Sequence, residues 1–302
     1  MTLYLGMDIG GTASRWVLVD AEGRTVDRGI AEGASGLIYD ARSLARFRGA
    51  IETVRDALPG AVAFAEFGIT GAGFSRHPRI EEQVSDILGL PLERFSYSSD
   101  MGLAWRAAFH GRRGHLVSAG TGSVGMTYDD SGERVVVGGR GILVDDAGSG
   151  VWIALRAIRH LFRLKDEGNG TRDAEILAST VFTALGGSTH DAMRDYVYGG
   201  DRGRIGRLAV AVAEAAREGD PTAQGLLREA GQELAHLGRI MLTRCGEAPV
   251  AFVGGVLALD PSIREQITSD LAGHEVEFPR IDAALHAALI AKEKDEALHD
   301  SH

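Results

Sequence analysis

The sequence has few cysteines, few prolines and no excess of positive charge. The opposite features are typical of small disulfide-rich secreted proteins, proteins with metal clusters, proteins with proline-rich linkers, and nucleic-acid-binding proteins. Cys245 is the one cysteine among 302 residues, which excludes an internal disulfide and a cluster that needs several thiolates from one chain. Only seven prolines occur, so no proline-rich linker is expected. The formal net charge is −10, which argues against nucleic acid or an anionic membrane as the default partner.

Long apolar runs are also missing. No stretch approaches the ~20 apolar residues of a membrane span, and the longest candidate, Leu208–Ala216, is interrupted by Glu214. The N-terminus has no basic segment, and Asp8 interrupts the first apolar run too early for a signal peptide. A single cysteine fits a reducing compartment. These features predict a cytoplasmic protein that has no membrane partner.

Glycine, in contrast, is abundant. There are 41 glycines, about twice the usual share of ~7%. They lie in short clusters between apolar runs, where a backbone turns tightly or approaches a ligand closely. A chain of 302 residues is long enough for two domains of roughly 150 residues each.

The apolar spacing predicts helices that alternate with strands. Helical periodicity runs from Asp40 to Leu58, and a shorter helix is expected over Glu81–Leu88. Asp220-Pro221 is typical of a helix start, and that helix is predicted to reach about Arg244. Apolar strands lie between these helices, which predicts an α/β protein.

A weak internal repeat relates the two halves. A shift of 109 positions aligns two segments for which the same order of elements is predicted: a strand, a Gly-Thr turn, a second strand, a turn that runs from Asp to Gly, and a third strand. The aligned pairs are Gly11 with Gly120, Thr12 with Thr121, Ser14 with Ser123, Asp20 with Asp129, and Gly23 with Gly132. The pattern predicts two duplicated halves, and a chance match is the alternative.

The first Gly-Thr turn is the sharpest candidate site. Gly10 and Gly11 allow backbone N–H groups to converge on an anion, and Thr12 and Ser14 add hydroxyl donors. Asp8, at a strand end, can hold Mg²⁺ directly or through water. A strand follows rather than a helix, and no Gly-Lys-Ser/Thr follows, so this is neither a dinucleotide fingerprint nor a Walker A loop. The alternative is a plain hairpin turn.

The second turn repeats that chemistry. Ser118-Ala-Gly-Thr-Gly-Ser123 contains Gly120, Thr121 and Gly122 directly after an apolar strand. Two such turns in a repeat favour two phosphate-binding hairpins over two incidental turns.

Carboxylates stand at two predicted helix starts. Asp100 follows the strand Phe95–Ser98, and it is either a helix cap or a general base aimed at a ligand. Asp145 and Asp146 precede Gly148-Ser149, which is either a capped loop or a loop that binds hydroxyl groups.

A third glycine pair lies near the C-terminus. The apolar strand Val250–Val256 contains Gly254-Gly255, where a flat ring could lie against the backbone. The alternative is a strand-to-helix turn.

Taken in order, these motifs resemble a known family. DIGGT, SSD, SAGTGS, GGRGILVDDAGSG and VGGV are similar to the N-acetylglucosamine kinase-like branch of the sugar kinase/actin ATPase superfamily, which also contains bacterial glucosamine kinases. The resemblance runs from Met7 to about Ala291. It implies an α/β fold of two ribonuclease-H-like (actin-like ATPase) domains with an interdomain cleft. The N-terminal domain would comprise 1–111 plus 283–302, and the C-terminal domain 112–282.

The resemblance also implies roles for the motif residues. Asp8 to Thr12 and Gly120 to Gly122 would hold the phosphates of ATP, with Mg²⁺ at Asp8. Asp100 would be the catalytic base for the 6-hydroxyl of the sugar. The remaining implied contacts are Gly139 and Asp146 to the sugar, and Gly254 and Gly255 to adenosine.

One position departs from the family pattern. The family has a sugar-contacting Asn after the third strand, where this chain has Gly36. We therefore expect Gly36 to face the sugar without a side-chain hydrogen bond, which leaves the preferred sugar open.

The sequence thus predicts ATP-dependent phosphorylation of an amino sugar, first N-acetylglucosamine and alternatively glucosamine or another amino sugar. The expected partners are the sugar and ATP, and a homodimer is left open. A fold-related activator ATPase of the benzoyl-CoA or 2-hydroxyacyl-CoA dehydratase type is a rival, but such proteins need paired cysteines and this chain has only Cys245. A sugar-sensing protein without catalysis is the second rival.

Overall fold

The computed structural model describes residues 2–72, 76–168 and 170–299. The chain divides into two compact units, Met1–Gly111 with Ile281–His302, and Arg112–Arg280. Residues 1, 73–75, 169 and 300–302 belong to the predicted domains but lie outside the described residues.

Each unit begins with three consecutive strands, which are followed by helices with single strands between them. The strands are β1 (Tyr4–Ile9), β2 (Ala13–Val19), β3 (Thr25–Glu32), β4 (Phe64–Ile69), β5 (Phe95–Ser99), β6 (His115–Ala119), β7 (Ser123–Tyr128), β8 (Arg134–Gly138), β9 (Val250–Val253) and β10 (Val276–Glu277). The helices are α1 (Ala41–Ala57), α2 (Pro78–Leu88), α3 (Asp100–Phe109), α4 (Gly150–Asp166), α5 (Glu175–Leu185), α6 (His190–Tyr198), α7 (Arg202–Arg217), α8 (Pro221–Cys245), α9 (Pro261–Asp270) and α10 (Ala283–His299).

Local signals explain most helix boundaries. Asp40 caps α1, and its carboxylate accepts a hydrogen bond from the Ser43 backbone N–H. Asp220 caps α8 ahead of Pro221. The start of α2 was predicted too late, at Glu81, because Pro78 takes the first helical turn, where its missing N–H costs nothing.

The first unit contains a mixed sheet in the order β3-β2-β1-β4-β5. β1 pairs antiparallel with β2 and parallel with β4, and β4 pairs parallel with β5. Alternate side chains of β1 face opposite sides. Leu5, Met7 and Ile9 pack with α1 and α2, whereas Tyr4 packs with α10.

The C-terminal helix α10 belongs to the first unit and lies directly against the sheet. A Cβ atom on Gly6 would stand 2.1 Å from both the Ala284 carbonyl oxygen and the Ala288 nitrogen. Lys294 of α10 also donates to the buried Glu66 carboxylate over 2.8 Å. The absence of a side chain at Gly6 therefore sets how closely α10 approaches β1.

The second unit repeats the topology of the first. Its sheet has the order β10-β9-β6-β7-β8. As in the first unit, the first three strands are antiparallel neighbours that begin with a hairpin, and the later strands add in parallel to the first strand's side. We call this arrangement hairpin-first. The main core of the unit is formed by apolar side chains of α4, α5, α7 and α8. Over the described residues, none of the helices is both long and apolar enough to cross a membrane.

The repeat extends to individual hydrogen bonds in the β2–β3 and β7–β8 turns. The Asp20 carboxylate accepts from the backbone N–H of Glu22 and of Arg24. Asp129 does the same with residues 131 and 133. Gly23 and Gly132 have φ of 78° and 80°. Because these contacts recur at the predicted shift, the structure confirms the internal repeat.

We predict that Gly6→Ala destabilises the protein by about 1–3 kcal/mol, since overpacking forces α10 away from the sheet. Urea unfolding measures the change. Gly49→Ala is the matched control, because a Cβ on Gly49 in α1 meets no atom within 4 Å and should stabilise by about 0.5–1 kcal/mol. Equal stability of Gly6→Ala and the parent would contradict the close approach.

Candidate active site

Three polar side chains meet at one edge of the first sheet. Because β1, β4 and β5 run parallel, their carboxyl ends share that edge, with Ile9 beside Ile69 and Ile69 beside Ser99. Asp8 is the penultimate residue of β1, and Thr70 and Asp100 directly follow β4 and β5. The carboxyl ends of strands are where open α/β sheets bind ligands.

Asp100 does not cap its helix. Ser99 takes that position, and its hydroxyl accepts from the Gly102 N–H over 3.0 Å. Asp100 is the first helical residue, and its Oδ1 accepts from the Met101 N–H over 2.8 Å. Its carboxylate is partly exposed. Because the cap is supplied by Ser99, the capping role does not account for an acidic residue at this position.

Thr70 contacts Asp100, and the sequence motifs did not single it out. Its hydroxyl donates to Oδ2 of Asp100, so both oxygens of that carboxylate have a donor. The signal available in the sequence was a polar residue at the end of a buried strand.

The Asp8 carboxylate lies in an environment that favours its protonated form. Burial raises its pKa to about 6, and the negative charge of Asp100 adds to the rise. Arg15, which pairs with Asp8 across β1 and β2, lowers the pKa. Two carboxylates that repel each other at a ligand-binding edge are typical of a site that receives a cation.

The first Gly-Thr turn presents part of its predicted donor set. Gly11 and Thr12 are exposed, and the Gly10 N–H closes the turn on the Ala13 carbonyl over 3.2 Å. Ser14 is fully buried, and its hydroxyl donates to the Glu32 carbonyl over 2.9 Å. The prediction of Ser14 as a ligand donor is therefore wrong, because its side chain holds the strand pair together.

Gly36 lies against apolar side chains of the first unit. A Cβ atom there would lie 2.6 Å from the Ala72 Cβ and 3.0 Å from the Ile80 Cδ1. The Gly36 N–H donates to the Thr70 carbonyl over 2.9 Å. The expectation that Gly36 replaces a sugar-facing Asn is wrong, because a side chain at this position would point into the apolar core.

The second unit brings the second turn together with the acidic loop. The Asp146 carboxylate is buried, and its Oδ1 accepts from the Gly141 N–H over 3.1 Å. A Cβ on Gly122 would stand 2.7 Å from its Oδ2. Burial raises the pKa of Asp146, and the Gly141 hydrogen bond and Arg202 lower it. Asp145 is exposed.

The other predicted residues of this unit border the same turn. Thr121 is partly exposed, and Gly120 has open space where a side chain would be. Gly254 follows β9 and lies against the Ala119 backbone, since a Cβ atom there would stand 2.3 Å from the Ala119 carbonyl oxygen. Gly255 is exposed with open space above it. Gly139 is exposed and lies against Val124 of β7.

The donor set at the first sheet edge fits a magnesium ion. Mg²⁺ is usually bound through one or two carboxylates together with water and substrate phosphates. Asp8 supplies one carboxylate, and the nearby negative charge of Asp100 acts on it. Among the described residues no group of three or more acidic, His or Cys side chains forms a complete cage, so phosphate and water would supply the remaining ligands.

The fold and these turns define the class. Two duplicated α/β units, each with a hairpin-first five-stranded sheet in its described residues, form an ATPase fold of the actin-like type. The chain matches the BadF/BadG/BcrA/BcrD ATPase family over residues 5–291 and belongs to that family.

Similar proteins are named as amino-sugar kinases. N-acetyl-D-glucosamine kinase of Dictyostelium discoideum is 22% identical and is covered over 97% of its length by 96% of this chain. N-acetylmuramic acid/N-acetylglucosamine kinase of Clostridium acetobutylicum is 27% identical over 55% of this chain. The match spans only 54% of that relative's length.

A solved structure shows the similarity over nearly the whole chain. A Chromobacterium violaceum protein, provisionally named N-acetylglucosamine kinase, is 26% identical with a TM-score of 0.73. The match covers 96% of this chain and 99% of that protein. The resemblance predicted from the motifs and the α/β fold class are thereby confirmed.

We predict that Asp8→Asn stabilises the protein by about 1–3 kcal/mol at pH 7, since each unit of pKa shift is worth ~1.4 kcal/mol. The folded carboxyl keeps its proton up to a pKa of about 6, whereas the unfolded one loses it near the ordinary value of 3.8. The parent therefore loses stability as pH rises through this window. Below about pH 4 the difference between variant and parent should vanish.

Urea unfolding from pH 3.5 to pH 7.5 measures this difference. Asp40→Asn is the control of opposite sign, because the Ser43 backbone N–H holds the pKa of Asp40 below its ordinary value. That variant should lose stability relative to the parent at neutral pH, and the loss should shrink in acid. If Asp8→Asn were no more stable than the parent at pH 7, this would contradict the claim that burial and the charge of Asp100 raise the pKa of Asp8.

Proposed function

We propose that this protein is an ATP-dependent kinase that phosphorylates the 6-hydroxyl of an amino sugar, with N-acetylglucosamine as the first candidate. The observation that supports this most strongly is Asp100, a partly exposed carboxylate freed from capping by Ser99 at the carboxyl edge of the first sheet. Membership of an ATPase family supports the use of ATP.

In this proposal Asp100 acts as the general base. It would accept the proton of the sugar hydroxyl as that oxygen attacks the γ-phosphorus of ATP, and ADP would leave. Phosphoryl transfer asks a protein mainly for positioning and charge stabilisation. A partly exposed carboxylate at the first position of α3 meets the first requirement because its place at the sheet edge is set before the sugar binds.

The phosphates of ATP would be held by the two Gly-Thr turns, at Gly10, Gly11 and Thr12, and at Gly120, Thr121 and Gly122. Mg²⁺ would be held by Asp8, directly or through water, and would neutralise the charge of the phosphates when bound. Gly254 and Gly255 would border the adenosine, because they follow β9, next to the end of β6.

Asp146 and the backbone at Gly139 would bind sugar hydroxyls. Two exposed apolar side chains, Leu143 at 95% and Val144 at 75% exposure, lie in the same loop. An N-acyl group has apolar surface that such side chains can cover, whereas the ammonium of glucosamine does not. This loop therefore favours an N-acylated sugar over glucosamine.

An activator ATPase remains the second candidate because the family includes ATPases of other names. Activator ATPases of this type share an iron–sulfur cluster between two subunits and need paired cysteines from each subunit, whereas this sequence has only Cys245. That residue lies at the C-terminal end of α8. The proposal of two functional domains, 1–111 plus 283–302 and 112–282, is common to both candidates.

The test is ADP release with ATP, Mg²⁺ and one of five sugars: N-acetylglucosamine, N-acetylmannosamine, N-acetylmuramic acid, glucosamine or glucose. We expect turnover with N-acetylglucosamine and a phosphomonoester at its 6-position. Asp100→Asn should lower kcat by ~10²–10⁴-fold, as loss of a general base does.

Asp86→Asn is the matched control, since Asp86 is exposed on α2. It should leave kcat at the parent value. Absence of sugar-dependent ADP release with all five sugars, or a parent-like kcat in Asp100→Asn, would reject the proposed kinase or its base.

A further inference from the structure

Thr70 is the side chain at the sheet edge whose chemistry the proposed reaction has not used. It directly follows β4, which lies between β1, the strand that carries Asp8, and β5, the strand that precedes Asp100. Its hydroxyl donates to Oδ2 of Asp100, although the two residues are thirty positions apart in the chain. A hydrogen bond to a carboxylate is stronger than one between neutral groups.

The backbone of Thr70 is itself held from two directions. Its N–H donates to the Ile9 carbonyl over 2.9 Å, which continues the pairing of β1 with β4. Its carbonyl accepts from the Gly36 N–H over 2.9 Å and from the Ser35 hydroxyl over 3.2 Å. Thr70, which donates to Asp100, is therefore fixed both to the sheet and to the loop that follows β3.

The two oxygens of Asp100 receive donors of different origin. Oδ1 accepts from the Met101 N–H of its own helix, and Oδ2 accepts from Thr70 of the neighbouring strand. With only the first bond, the carboxylate could still rotate about its terminal torsion, which is broad in aspartate. The Thr70 hydroxyl removes that freedom and leaves lone pairs of both oxygens for a further donor.

We propose that Thr70 is a positioning residue for the reaction, which sets the orientation of the Asp100 carboxylate toward the sugar hydroxyl. This inference rests on the proposed function. A well-aligned base matters because misplacement of a reacting group by about 1 Å can cost ~10²-fold in rate. Thr70 acts through Asp100 and takes no proton itself.

The test compares Thr70→Val with Thr70→Ser, using ATP, Mg²⁺ and N-acetylglucosamine. Thr70→Val keeps the shape and removes the hydroxyl, and kcat should fall by roughly 10- to 100-fold. The KM for each substrate should stay within about threefold of the parent. Thr70→Ser retains the hydroxyl and should restore kcat to within about threefold. Thr70→Ala is a second variant without the hydroxyl, and it should behave like Thr70→Val.

Thr127→Val is the matched control for loss of a hydroxyl. Thr127 is fully buried in β7, and its hydroxyl donates to the Gly114 carbonyl over 2.9 Å. Its replacement should lower the free energy of unfolding without lowering kcat. A general loss of stability is thereby separated from a loss of alignment.

A double variant separates this inference from the proposed function. In an Asp100→Asn background, Thr70→Val should lower the residual kcat by less than about twofold, because the base that it orients is gone. If Asp100→Asn loses turnover while Thr70→Val keeps the parent kcat, or if Thr70→Ser fails to restore it, the Thr70 assignment alone is overturned. An additive loss in the double variant overturns it as well. Parent-like turnover in Asp100→Asn overturns both.

Discussion

The parallel pairing of β1, β4 and β5 is the constraint on which the candidate site depends. It places the ends of three strands at one sheet edge, so that residues far apart in sequence, Asp8, Thr70 and Asp100, share one location. The charge of Asp100 contributes to the raised pKa of Asp8, which is the cost of bringing two carboxylates together. A cation bound between charges of this kind would recover that cost, so the same repulsion that destabilises the protein would favour the Mg²⁺ of the proposed function.

A second feature of the structure is that glycine residues allow other groups to pack directly against the backbone. At Gly6 the missing side chain lets α10 lie against β1, and at Gly122 it lets the Asp146 carboxylate lie on the second Gly-Thr turn. The unusual glycine content therefore has two distinct uses, one in the core and one at the candidate site. The duplicated topology explains why both units present a Gly-Thr turn after their first strand.

Much of this architecture could be predicted from the sequence because its signals are local. Asp40 and Asp220 marked helix starts, and the Asp20 and Asp129 turns marked the repeat, since each acts within a few residues. Ser14, Gly36 and Thr70 were beyond such reasoning, because their roles depend on which strand or helix lies opposite. Motif spacing places Ser14 and Gly36 next to a ligand, whereas the sheet turns Ser14 toward Glu32 and would turn a side chain at Gly36 toward Ala72.

The most direct test of the shared site is a titration of the Asp8 carboxyl carbon by NMR, in the parent and in Asp100→Asn. We expect a pKa of about 6 for Asp8 in the parent. In Asp100→Asn the pKa should fall but stay above the ordinary value, because burial remains after the neighbouring charge is removed. An Asp8 pKa that is unchanged by Asp100→Asn would show that the two carboxylates do not interact, and it would contradict the convergence of the strand ends on one site.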